Sequence, residues 1–99
     1  MTLDDFKESI ANDAPPAGMD LALQALWWDR KGDWARAHGC SQDDNSADGA
    51  WVHAYLHRVE GDLSNAGYWY RRAGKPASSA PLGEEWAEIA GALCGKQQD

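Results

Sequence analysis

A short phrase is written twice in this chain. Lys31-Gly32-Asp33-Trp34-Ala35-Arg36-Ala37-His38 returns as Glu60-Gly61-Asp62-Leu63-Ser64-Asn65-Ala66-Gly67, which places the two Gly-Asp pairs 29 residues apart. Each pair follows an Ala- and Trp-rich segment of helical period. The glycine lets one helix stop in a left-handed residue, and the aspartate caps the next. The alanine four residues beyond the aspartate lets the two helices approach closely. Twice over, the phrase predicts an antiparallel helical hairpin.

The core that such hairpins share has to be built from unusual material. Leu, Ile, Val and Phe together number only 13 of 99 residues, a poverty that ordinarily signals disorder. Six Trp and three Tyr reverse that reading, because each large ring buries about 150–250 Å². An aromatic and alanine core is expected. The net charge of −7 speaks against nucleic acid or an anionic membrane as partner. The basic stretch Arg71-Arg72-Gly74-Lys75 is short, and its position at a helix C-terminus matches the helix dipole.

Read along the chain, Thr2-Leu3-Asp4-Asp5 has the form of a capping box, and an N-terminal helix over 2–11 follows. Pro15-Pro16 cannot lie inside a helix. A second helix is expected from Met19 to Lys31, and a third from Asp33 to about Ser41. A fourth, capped by Asn45 or Ser46, extends to Glu60. The fifth carries Leu63, Ala66, Tyr70 and Ala73 on one face, and a loop follows over 74–81. The last presents Leu82, Trp86, Ile89 and Leu93 as a single apolar face, with 82–95 as a capping helix. Nothing has the alternation of a strand. The fold class is all-α, six helices in a single domain over 1–99, with paired hairpins at 19–76.

The segment from Gly61 to Pro76 resembles the second helix of a tetratricopeptide repeat, with Ala66, Tyr70, Ala73 and Pro76 in the family's small, aromatic, small and proline positions. Ala54 and Ala25 are the small residues of the two preceding helices, and Trp28 and His57 their aromatic-type positions. The resemblance spans Leu21 to Pro76. It departs from the family in period, 29 residues against about 34, and in Ser41, which stands where an aromatic is expected. It implies a right-handed array of antiparallel hairpins that binds a protein or peptide and is not an enzyme. The family's groove is lined by the first helix of each hairpin, here Ala22, Leu26 and Asp29, then Trp51, Tyr55 and Arg58, extended by Tyr68 and Arg72. Trp, Tyr and Arg dominate interface energies, and Arg58 would suit an acidic group or chain-end carboxylate. Trp51 and Tyr55, at i and i+4, equally suit packing against the neighbouring hairpin. Self-association of an incomplete array is a further expectation.

The alternative reading is a metal- or small-ligand-binding protein. His53 and His57, four apart on one helix, can face the same point, a spacing that suits a transition metal. Cys40 precedes His53 by thirteen positions, half of a zinc-finger pattern, and His38 can stand in for the missing cysteine. Polar interior histidines hydrogen-bonded to neighbours explain the same pair. Asp44-Asn45-Ser46-Ala47-Asp48-Gly49 imitates the start of a calcium loop, yet Tyr55 stands where its bidentate glutamate belongs, and a cap with a turn accounts for it. Glu84, Glu85 and Glu88 are first explained by the dipole of the last helix. No cofactor is expected. Lacking a leader or an apolar run of membrane length, the chain is expected to be cytoplasmic, with Cys40 and Cys94 as free thiols.

Overall fold

Both Gly-Asp junctions reverse the chain, and they do so with the same atoms. In the computed structural model, which describes residues 1–96, Gly32 and Gly61 adopt φ of +85° and +88°. The amide of the following aspartate donates to the carbonyl five residues back, Asp33 to Trp28 and Asp62 to His57, each at 2.9 Å. The aspartate side chain then accepts from the amide three residues on, Arg36 and Asn65, each at 3.1 Å. One motif thus closes one helix and opens the next, as the duplicated phrase requires.

The elements are α1 (Leu3–Ser9), α2 (Leu21–Arg30), α3 (Trp34–Gln42), α4 (Ala47–Glu60), α5 (Leu63–Ala73) and α6 (Leu82–Cys94), with no strand among the described residues. The all-α reading with six helices therefore holds; α1 is shorter than the expected 2–11. Thr2 forms a complete capping box, and Ser46 rather than Asn45 caps α4. Helices α2 and α3 pair, as do α4 and α5, while α2 and α3 both pack on α4. Helix α6 lies across α1, α2 and α4. Its Trp86 is fully buried, stacks on Phe6 at 5.6 Å and donates its indole N–H to the Leu26 carbonyl at 3.0 Å. The core is aromatic and alanine-rich, as composition requires: Trp27, Trp86, Phe6, Ala25, Ala37, Ala54 and Ala90 are all fully enclosed.

Several expected orientations are corrected. Leu63 is expected on the buried stripe of α5, yet at the first position after the Asp62 cap it is 69% exposed. Ala22, Leu26, Trp51 and Tyr55 were placed on an outward groove and are buried. Helix α6 packs on both α2 and α4, and Lys75 from the segment 74–81 lies over the Trp51 ring. No helix among the described residues is long and apolar enough to cross a membrane.

Candidate functional site

Three histidines meet between the hairpins. His53 and His57 lie one turn apart on α4, on the face that receives α3, and His38 comes down from α3 to join them. Ring centroids are 4.6 Å apart for His38–His53, 4.8 Å for His53–His57 and 5.4 Å for His38–His57. One nitrogen from each lies within 4.8 Å of the others. A tetrahedral metal with bonds of about 2.0–2.1 Å needs its nitrogens roughly 3.3 Å apart. The closest pair, His38 Nε2 and His53 Nε2, is already at 3.0 Å.

Each ring is held by neighbours. Trp34 stacks on His38 at 4.7 Å, and its indole N–H is anchored on the Leu56 carbonyl at 2.9 Å. Trp69 from α5 stacks on His53 at 3.9 Å with the rings nearly parallel. His57 Nδ1 faces a Glu60 carboxylate oxygen at 2.6 Å. A proton on Nδ1 then points at Glu60 and leaves the Nε2 lone pair free, the carboxylate–histidine arrangement that orients metal ligands. His53 is only 3% exposed, and its Nδ1 has no hydrogen-bond partner. A buried ring nitrogen in that state is uncommon and costs about 1–3 kcal/mol.

The electrostatics favour the neutral form of His53 and His38. Burial, reinforced by His38, His57 and Arg72, pushes His53 down to about 4. His38 is lowered as well, by burial and then His57, against an opposing pull from Glu60. Neutral imidazole is the form that binds a metal.

The remaining expected site residues fall elsewhere. Cys40 lies outside the cluster, and burial with nearby Asp43 raises its thiol, keeping it protonated. Cys40 and Cys94 are both free thiols. Trp51 is 7% and Tyr55 4% exposed; Lys75 Nζ caps the Trp51 ring at 4.3 Å, and the Tyr55 hydroxyl donates to Asp29 at 3.1 Å. Arg58 binds buried Glu85 at 2.7 Å and the Ala80 carbonyl, and Tyr70 donates its hydroxyl to the other Glu85 oxygen at 2.5 Å. Glu84 and Glu85 lie in the first turn of α6, as the dipole reading expects, but Glu85 is buried and serves Arg58 and Tyr70. Tyr68 and Arg72 remain at the surface of α5. In the calcium-like stretch, Asp44 accepts from the Ser46 amide and Asp48 pairs with Lys96, so caps and an ion pair occupy its oxygens.

Trp69 and Glu60 were not singled out from sequence. Glu60 is three residues after His57, a spacing that places side chains together on a helix, and that was the available signal. A cavity of about 500 Å³ lies at the start of α2 and the turn before α4, and none of the histidines lines it. No family model, curated protein or solved structure matches the chain.

Proposed function

We propose that this protein binds a transition-metal ion through His38, His53 and His57, with zinc, copper or nickel the metals that imidazole donors suit. The observation that carries the reading is the convergence of three imidazoles from two helices, one of them oriented by a carboxylate. Three protein ligands leave a fourth position open, the pattern of sites that act on or exchange a small ligand. The scaffold is read as two tetratricopeptide-like hairpins, since α2 pairs with α3 and α4 with α5 through matched junctions.

Elemental analysis of protein purified without a histidine tag, followed by calorimetric titration of the chelator-stripped protein with zinc, tests the reading. One ion per chain, lost in His53→Ala and His57→Ala, is expected. Absence of saturable uptake in the folded wild-type protein would overturn it.

A second reading, a protein-interaction role, is supported by one feature. Helix α5 packs chiefly on α4, and Leu63, Tyr68 and Arg72 lie exposed on its outer surface. The double variant Tyr68→Ala/Arg72→Ala would lose an acidic partner while keeping its metal.

A further inference from the structure

We propose a second, weaker divalent-metal subsite, made by His57 Nδ1, Glu60 and Asp62, which shares the His57 ring with the three-histidine site. The inference rests on the metal reading above and adds an outer position to it. One donor atom from each of these three residues lies within 4.8 Å of the others. Imidazole nitrogen with carboxylate oxygen is a donor set that zinc and copper accept.

His57 has a nitrogen for each ion. Its Nδ1 is turned to the Glu60 carboxylate, 2.6 Å away, and Nε2 is left for the ion among the histidines. The ring is buried while Glu60 and Asp62 are exposed, so the outer position meets solvent. An ion there replaces the proton between Nδ1 and Glu60, and that proton leaves to solvent. With both nitrogens occupied, the ring is an imidazolate joining two metals. Removing that proton costs free energy, so the outer position fills second.

The duplicated junction shows that the turn itself does not require these side chains. Trp28 and Lys31 hold in the first copy the places of His57 and Glu60 in the second, and both copies close with the same backbone bonds. Lys31 is spent on the carbonyls of Ile10 and Asn12, and Asp33 has Arg36 beside it at 3.5 Å. The position matching Arg36 is Asn65. The second junction has thus exchanged two cations for a carboxylate and an amide. Among the described residues, neither Glu60 nor Asp62 forms an ion pair with Lys or Arg. Two carboxylates this close, with no fixed cation, repel each other, and a divalent ion relieves the repulsion. Asp62 keeps its cap meanwhile. Its two oxygens accept from the Asn65 amide at 3.1 Å and the Asn65 side chain at 3.3 Å, and a carboxylate has further lone pairs to give.

Copper reports the shared ring directly, because two Cu²⁺ ions joined by one imidazolate couple their spins and lose the resonance that each shows alone. Chelator-stripped protein would be titrated with Cu²⁺ and followed by electron paramagnetic resonance. The integrated signal should rise through the first equivalent and fall through the second. Asparagine caps a helix as well as aspartate does, so Asp62→Asn keeps the fold. It should weaken the second ion by about tenfold or more, the loss that even an outer-shell partner brings, with the first ion unchanged. A second equivalent that adds an uncoupled signal, or an Asp62→Asn protein that couples like wild type, would overturn the proposal while leaving the three-histidine site intact. Absence of a first ion sensitive to His53→Ala would remove the metal reading and this one together.

Discussion

The Nε2 atoms of His38 and His53 stand 3.0 Å apart across the junction of α3 and α4, so one must carry the proton that the other accepts. Both cannot be charged at that distance. His57 and Glu60 on α4 and Arg72 on α5 face the same group. With His53 lowered to about 4 from an ordinary 6.5, the unfolded chain binds more protons than the folded one between those values. Stability is therefore fully present above pH 6.5 and lost as the pH falls toward 4. Urea denaturation of chelator-treated protein should show about 2–3 kcal/mol less stability at pH 4.5 than at pH 7. His53→Gln should flatten that dependence, and an equally steep wild-type-like profile in the variant would assign the effect to another group.

Metal and fold are linked. Zinc at about a hundredfold excess over its dissociation constant should stabilise the protein by about 2.7 kcal/mol, read as a raised melting temperature that EDTA reverses. Glu60→Gln should weaken zinc binding about tenfold, since the partner that orients His57 is lost while all three ligands remain. Unchanged affinity in that variant would mean that the His57 ring needs no such support.

Glu85 is 1% exposed and serves two donors at once, Arg58 and Tyr70. Burial raises the Tyr70 hydroxyl first, and its bond to Glu85 raises it further, so the phenol stays protonated and donating. Glu85→Ala leaves a largely buried guanidinium without its counter-charge, which typically costs about 3–5 kcal/mol. Chemical denaturation should show a loss of that order, with Glu85→Gln intermediate. A cost under about 1 kcal/mol would place the pair among solvent-screened contacts.

Three glycines should separate backbone strain from crowding. A Cβ at Gly32 or Gly61 would meet nothing within 4 Å, so alanine there pays only for its left-handed backbone, about 1–2 kcal/mol. Gly49 has ordinary helical geometry, where alanine would normally stabilise by about 1 kcal/mol. Its Cβ would stand 2.4 Å from the Asp44 carbonyl oxygen, so Gly49→Ala should instead destabilise and displace the turn before α4. Matched melting curves of the three variants decide this, and a stabilised Gly49→Ala would show that the turn yields freely.

What was legible in the sequence was local. Both Gly-Asp junctions, the Thr2 box and the Ser46 cap rest on side chains within a few residues of the backbone they bind, and the structure reproduces each. The orientation of Trp51 and Tyr55 was not legible, because it depends on α6 and on Glu85, 27 residues from its partner Arg58. The His53/His57 pair was visible at four-residue spacing. Choosing between His38 and Cys40 was harder: two apart on α3, they point to different faces, and only one of them can reach α4. Trp69, which completes the wall on His53, adjoins the more conspicuous Tyr70 and carries no spacing signal of its own toward α4.

The carboxylate that neutralises Arg58 arrives on α6, after both hairpins have been made. Until α6 emerges from the ribosome, a nascent chain already able to form both hairpins holds a guanidinium facing no counter-charge and a tyrosine with no acceptor. Docking of that helix therefore acts as the latch on the two hairpins, supplying Arg58 and Tyr70 with their shared partner.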